Sequence, residues 1–160
     1  MLINRMKPDE CDELLARVAF GRLACARDNQ PYIVPIYFAH QPNHLYGFAT
    51  LGQKIEWMRS NCLVCVQVDA VLGPDNWASV VILGRFEELQ DTAEYERERR
   101  WAQSLLERRS LWWEGGYAAS QVRSQPNAPV PIFYCIHIQV MTGLCSSPGD
   151  KLVETWRLPS

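Results

Sequence analysis

Short apolar segments separated by turn-forming clusters run through the first half of the chain, and they restrict its fold most. Residues 23–27 and 32–39 flank the cluster Asp28-Asn29-Gln30-Pro31, whose residue types favour a tight turn. A third segment, residues 45–50, follows a second cluster of this kind at residues 41–44. Segments of this length and composition are typical of strands, so the sequence predicts an antiparallel meander at the start of the fold.

Three more segments, residues 63–71, 77–89 and 132–142, are also predicted to be strands. Residues 52–61 have helical spacing, and so do an earlier segment and a later one, residues 9–18 and 91–109. Six strands interrupted by helices predict a mainly β fold. We expect a mostly antiparallel Greek-key barrel, closed or partly closed, because closure removes exposed strand edges. A sandwich is the alternative.

Composition and charge limit the classes of function. The 160 residues, 48% of them hydrophobic, suit a single domain spanning residues 1–160. A net charge of −2 provides no basic field for nucleic acid or an anionic membrane. No apolar run approaches the roughly 20 residues that span a bilayer, and no secretion signal is visible. We therefore expect a soluble, cytoplasmic protein that binds neither nucleic acid nor membrane.

The six cysteines and three histidines do not form a recognisable metal-binding pattern. Cys62 and Cys65 form a lone Cys-x-x-Cys pair within an apolar segment, whereas a structural zinc site needs two further ligands at suitable spacing. The cysteines are therefore predicted to be reduced thiols, mostly in the core. The three histidines indicate neither a catalytic triad nor a metal centre in the sequence.

The segment from Thr50 to Lys54 joins a strand to the start of a helix, where backbone amides and the helix dipole favour an anion. Thr50 offers a hydroxyl group and Lys54 a positive charge, Gly52 allows close backbone approach, and Gln53 completes the turn. This combination predicts a phosphate site. The alternative is an ordinary helix cap exposed to solvent.

Pro35 interrupts an apolar segment and cannot donate a ladder hydrogen bond, so its strand is predicted to lie at an edge or a split of the sheet. Amides at Val34 and Ile36 could then bind the polar edge of a flavin ring. Trp77 and Ser79 are two residues apart and so share one face of their strand, where they could contact a ring. The alternatives are an ordinary edge strand and a core aromatic.

Residues 91–131 form a distinct stretch, predicted to be a helix followed by an aromatic loop. Arginines and glutamates alternate in the helical part, which indicates a solvated surface rather than a nucleic-acid contact. The loop contains Trp112 and Trp113 and is long for a structureless connection, so it could be a lid or an interface arm.

Six segments occur in order along the chain: Gly21-Arg22-Leu23-Ala24, Tyr32-Ile33-Val34-Pro35-Ile36, Leu45-Tyr46-Gly47-Phe48-Ala49-Thr50, Gly52-Gln53-Lys54, Val64-Cys65-Val66-Gln67-Val68-Asp69, and Trp77-Ala78-Ser79-Val80-Val81 with Gly84-Arg85. In this order they resemble the pyridoxamine 5′-phosphate oxidase-related, FMN-binding split-barrel proteins, especially the nitroimidazole-resistance (Nim-like) branch. The resemblance covers residues 21–89 closely and the final strand loosely.

The resemblance implies a homodimer with two FMN sites at the subunit interface. By motif position, Thr50 and Lys54 would hold the phosphate, and residues 34–36 would run along the isoalloxazine ring. Trp77, Ser79 and Val80 would complete the pocket. The chain lacks the carboxy-terminal Trp and Arg-Leu-His signature of true pyridoxamine-phosphate oxidases, which argues against vitamin B6 oxidation.

These observations favour an FMN-dependent oxidoreductase that acts on small electron-poor compounds such as nitroaromatics. One alternative is a non-catalytic module that holds flavin, or haem with His137 or His40 as axial ligand. Another alternative is a reductase that uses a deazaflavin.

Overall fold

The computed structural model describes residues 2–109 and 130–147, with the side chain of residue 147 excepted. These residues form strands and helices in the following order: β1 (Leu2–Arg5), α1 (Pro8–Arg17), β2 (Phe20–Arg27), β3 (Gln30–Tyr37), β4 (Ala39–Gln41), β5 (His44–Ala49), α2 (Gln53–Ser60), β6 (Leu63–Gly73), β7 (Asn76–Leu89), α3 (Glu96–Arg108) and β8 (Ile132–Ser147). The mainly β class is confirmed.

The strands form one eight-stranded sheet in the order β3-β2-β6-β7-β8-β5-β4, with β1 paired to β8. Every pairing in it is antiparallel. All six predicted strands are present, and β1 and β4 are two short strands that the sequence patterns did not reveal. The sheet is not closed, because β3 and β4 form its two ends.

The predicted opening meander is wrong. Among the described residues, β3 pairs only with β2, whereas β5 pairs with β4 and with β8. The short strand β4 redirects the chain, and Leu45 and Tyr46 on β5 then pack against Ile136 and Cys135, all of them buried. Burial of these side chains favours the distant partner over the neighbour in sequence.

The β2–β3 hairpin follows from its turn residues. Asp28 and Asn29 have φ values of 51° and 62°, and they connect Arg27 to its partner Gln30. Two consecutive residues with positive φ define the turn whose twist matches that of the flanking strands, and Asp and Asn tolerate this backbone conformation.

β7 and β8 are the long strands that join the two parts of the sheet. Their pairing shifts register between Leu83 and Gly84. At Gly84 an added Cβ would lie 2.7 Å from the carbonyl oxygen of His137, so a larger residue would force the strands apart. Glycine thus permits the bend at which the sheet curls round its core.

Two apolar cores lie on opposite faces of the sheet. The larger fills the inside of the curled sheet, where Leu14 and Leu15 of α1 and Ile55 and Met58 of α2 are buried. The smaller lies between the sheet and α3 and includes Cys135. Helix α1 begins with Pro8, and the Glu10 carboxylate accepts a hydrogen bond of 2.6 Å from the amide of Lys7.

Helix α3 differs from its prediction. It begins at Glu96 rather than at residue 91, because the Asp91 carboxylate pairs with Arg99 and does not cap the helix. Trp101 is 44% exposed and does not share the buried face with Leu105 and Leu106. Trp112 and Trp113 lie outside the described residues. Within the described ranges, no helix has the length and apolarity needed to cross a membrane.

Candidate functional site

A cavity of about 580 Å³ opens between β3, β5 and the start of α2. Its lining includes seven of the predicted cofactor-binding residues: Val34, Pro35, Ile36, Thr50, Gly52, Gln53 and Lys54. Residues 34–36 on the edge strand β3 and residues 50–54 after β5 are thus brought together. A volume of this size is typical of a small-molecule site.

The polar end of the cavity is the first turn of α2. Gly52 precedes the helix with an extended backbone, and no side chain caps it. An added Cβ at Gly52 would meet no atom of residues 2–109 or 130–147 within 4 Å, so these residues leave space beside the amides of this turn. Burial raises the pKa of the Cys25 thiol, and the positive charge of Lys54 partly offsets that rise. An uncapped helix start near a lysine favours an anion.

Aromatic side chains also line the cavity. Phe20 and Tyr37, opposite each other on β2 and β3, have ring centroids 5.2 Å apart. Tyr32, another lining residue, packs on Trp57 of α2 at 5.4 Å. An apolar wall next to an anion-binding turn suits a ligand that combines a planar ring with a phosphate.

Pro35 lies on the edge strand, as predicted. The Phe38 amide donates to the Ala19 carbonyl at 3.0 Å, so these two residues form a hydrogen-bonded pair. In an antiparallel ladder every second pair is hydrogen-bonded, and the next such pairs on β3 are those of Ile36 and Val34. The amides of these two residues therefore face β2, so the expectation that they are unpaired and open to a ligand is wrong, while both residues line the cavity. Pro35 occupies an outward position, where its missing N–H costs no ladder bond.

Trp77, Ser79 and Val80 are not among the described residues that line the cavity. The Val80 side chain is completely buried in the core. Trp77 and Ser79 share the opposite, outer face of β7, as the strand alternation predicted. There the Ser79 hydroxyl accepts a hydrogen bond of 3.1 Å from Gln67.

His44, Cys135 and His137 form a cluster that sequence reasoning missed. One potential metal-ligand atom from each residue lies within 4.8 Å of the other two. His137 comes about 90 positions after His44 in the chain and lies directly opposite it in the β5–β8 pairing. The available signal was the spacing of Cys135 and His137, which places both on one face of β8.

His40 is not part of this cluster. Its Nε2 atom lies 3.1 Å from the Asp12 carboxylate, and only 8% of its side chain is exposed. Burial lowers the pKa of His40 more than Asp12 raises it. The structure thus packs the His40 side chain of β4 against α1, away from a surface that could receive a large cofactor such as haem.

Comparison with known proteins places the chain among its relatives. A family model described as pyridoxamine 5′-phosphate oxidase matches residues 7–144. An uncharacterised protein of Rhizobium meliloti (strain 1021) is 42% identical over 150 residues, covering 94% of this chain and 99% of that protein.

Solved structures share the fold. The crystal structure of a FAD-binding protein from Mesorhizobium loti is 41% identical, with a TM-score of 0.75 and coverage of 92% of this chain and 100% of that chain. A proposed 5-nitroimidazole antibiotic resistance protein from Bacteroides thetaiotaomicron is 17% identical, with a TM-score of 0.65 and coverage of 91% and 89%. The second likeness shows the fold alone. The chain therefore belongs to the pyridoxamine 5′-phosphate oxidase family and has its split-barrel fold.

Proposed function

We propose that this protein binds FMN in the cavity between β3 and β5 and acts as a flavin-dependent oxidoreductase. The observation that carries the proposal is the joining of an uncapped helix start, a lysine and an aromatic wall in one cavity. The bound flavin would supply the electron transfer, while the protein supplies binding and orientation.

The first turn of α2 would hold the phosphate. Thr50, Gly52, Gln53 and Lys54 all line the cavity and would supply a hydroxyl, backbone amides and an ammonium group to the phosphate. Hydrogen bonds to a charged phosphate are stronger than neutral ones, and the helix dipole adds to them. The ring would then lie along β3 near Pro35, against Phe20 and Tyr37.

FAD is the second candidate ligand. The Mesorhizobium loti protein, at 41% identity, is described as FAD-binding. FMN and FAD share the isoalloxazine ring and the first phosphate, so both would use the same cavity. They differ in the second phosphate and the adenosine, which would need surface beyond the α2 turn.

Homodimer formation would bring Trp77 and Ser79 to the flavin. These residues lie on an outer face that also presents Val81, Leu83, Val140 and Leu144. Leu83 and Val140, directly opposite each other, are each 50% exposed. A continuous apolar face of this kind is typical of an interface. Trp77 and Ser79 of the partner subunit would then complete the cavity.

The substrate would be a small electron-poor compound such as a nitroaromatic, as in the Nim-like branch. The support for this choice is the ordered resemblance of the sequence motifs. The Bacteroides thetaiotaomicron structure is consistent with it at the level of the fold.

The ligand can be tested on the purified protein by absorbance and mass spectrometry, followed by titration with FMN, FAD and riboflavin. We expect a yellow protein, or one that saturates with FMN at micromolar concentration, and weaker binding of riboflavin because it has no phosphate. Tighter binding of FAD than of FMN would select the second candidate. A Soret band without flavin binding, a deazaflavin mass, or no saturable flavin binding would overturn the proposal.

The dimer can be tested by light scattering. We expect twice the chain mass of 18.4 kDa, and dissociation of the Leu83→Lys variant because a charge would enter the apolar face. Trp101→Lys is the matched control, since Trp101 is an exposed apolar residue on α3. A wild-type protein that is monomeric with its flavin bound would contradict the shared site.

A further inference from the structure

We propose that His44, Cys135 and His137 bind one divalent transition-metal ion of the Zn²⁺ class on the β5–β8 face that α3 partly covers. This site is separate from the cavity between β3 and β5, and it does not depend on the function proposed for that cavity. The two imidazoles and the thiol supply three ligands, and water would supply the fourth.

The pairing of β5 with β8 creates the cluster. His44 lies opposite His137, and the next pair on the same face is Tyr46 opposite Cys135. The two imidazole rings are 5.0 Å apart between centroids. Tetrahedral zinc with bonds of about 2.0–2.3 Å holds its ligand atoms about 3.3–3.8 Å apart. The present separations, within 4.8 Å, require side-chain adjustments of about 1 Å rather than a change of backbone.

Each imidazole already has one nitrogen engaged by an outer partner. His44 Nδ1 is 2.9 Å from the Pro42 carbonyl oxygen, and His137 Nε2 is 2.5 Å from the Glu87 carboxylate. Both acceptors require a protonated nitrogen, so in the bound state His44 Nε2 and His137 Nδ1 would be the ligand atoms. Carbonyl and carboxylate partners of this type orient metal-binding histidines and fix their tautomers.

Glu87 is itself held in place. The Tyr95 hydroxyl donates to its other carboxylate oxygen at 2.9 Å. A second carboxylate, Glu98, accepts a hydrogen bond of 3.1 Å from Tyr46, the residue opposite Cys135. Negative groups on this face would offset the charge of a dication placed beside the buried thiol.

Access and burial also differ between the ligands. The side chain of His137 is 42% exposed, so an ion can enter from solvent. Cys135 is completely buried at the base of the cluster. A thiol binds Zn²⁺ as the thiolate, so metal binding would release its proton. The His137–Glu87 ion pair alone would use one histidine, whereas the cluster also includes His44 and Cys135.

Cobalt(II) provides the test, because a Co²⁺–thiolate bond has a charge-transfer absorbance that nitrogen and oxygen ligands do not produce. The full-length protein is dialysed against chelator and titrated with Co²⁺, and Zn²⁺ is then added to displace it. We expect one Co²⁺ per chain, a thiolate band, and loss of the band with Zn²⁺. Absence of the band, or a stoichiometry far from one, would overturn the site.

Variants identify the ligands. His44→Gln and His137→Gln should weaken Co²⁺ binding by more than the about 10- to 100-fold expected of Glu87→Gln, an outer partner. Cys135→Ser should remove the thiolate band, and Cys65→Ser, a cysteine elsewhere on β6, is the matched control. Circular dichroism checks that each variant folds. If the histidine variants keep the wild-type affinity, or if Cys65→Ser removes the band, the assignment is wrong.

Discussion

The two ends of β5 present different chemistry. Its last residues lead through Thr50 into the cavity, where an uncapped helix start meets an aromatic wall. Its first residue, His44, faces His137 and the buried thiol of Cys135. The first end combines groups for a phosphorylated ring, and the second combines ligands for a metal. One strand thus supports two sites that are about 20 Å apart along its length.

The two ends also differ in how far apart in the sequence their functional residues lie. The residues of the α2 turn are consecutive, so their chemistry can be seen in the sequence. The metal-ligand cluster joins residues from strands about 90 positions apart, and only the β5–β8 register brings them together. If this comparison holds, damage to the middle of β5 should affect both ends, whereas damage to one end should spare the other.

The largest expected effect is that of Gly47→Ala, at the middle of β5. An added Cβ would lie 2.5 Å from the Tyr134 hydroxyl oxygen, and Tyr134 is buried. Overpacking of this kind typically lowers the free energy of unfolding by about 1–3 kcal/mol. Chemical denaturation should show this loss, together with weaker binding of both FMN and Co²⁺.

Tyr134→Phe is the control for that variant. The buried Tyr134 hydroxyl has no hydrogen-bond partner among the described residues. Its removal should therefore leave stability unchanged or raise it. The ring carbons Cζ and Cε2 of Tyr134, which also clash with an added Cβ at residue 47, remain in phenylalanine, so Gly47→Ala should still be destabilising in the Tyr134→Phe background. Full recovery of stability in that background would mean that the clash is with the hydroxyl group alone.

A smaller effect is expected for Glu88→Gln, which weakens the attachment of α2 to β7. The Glu88 carboxylate accepts hydrogen bonds of 2.7 and 2.8 Å from Arg59, and this pairing is the main cause of its lowered pKa. A lowered pKa stabilises the fold above the ordinary value near 4.5, and the gain is lost as pH falls through the lowered value. We expect a loss of about 0.2–1 kcal/mol at pH 7 that fades in acid.

The control for this pH dependence is the wild-type protein measured over the same range. Arg59 is largely exposed, which is why the expected free-energy difference is small. A difference between wild type and Glu88→Gln that grows below pH 4 would contradict the assigned role of the ion pair.

The smallest expected effect is the coupling between the two ends. His137→Gln should change the free energy of FMN binding by no more than about 0.5 kcal/mol, because sites this far apart with no shared partners are usually independent. Saturation with Zn²⁺ should likewise leave the FMN affinity unchanged. A coupling above about 1 kcal/mol would show that β5 transmits changes between its ends.

Local patterns predicted much of this molecule. The alternation along β7 and the turn at Asp28-Asn29 predicted the strand and the hairpin. The cavity residues from Thr50 to Lys54 were predicted because the chemistry of a helix start is local. What failed was pairing: the partner of β5 and the amide directions in β3 depend on register across the sheet.

Burial explains the remaining differences. Val80 was grouped with Trp77 and Ser79 by motif, yet strand alternation turns its side chain into the core. Helix α3 begins at Glu96 rather than at the predicted residue 91, because Asp91 pairs with Arg99 instead of capping the helix.

The central claim is that the α2 turn binds the phosphate of a flavin nucleotide, and Lys54→Ala tests it most directly. FMN and riboflavin are titrated into wild type and variant by fluorescence quenching. Loss of a charge-assisted bond of about 1.5–3 kcal/mol should weaken FMN binding by roughly tenfold to a hundredfold. Riboflavin, which has the same ring without the phosphate, should bind as before. An equal loss for both ligands, or no loss for FMN, would contradict the account.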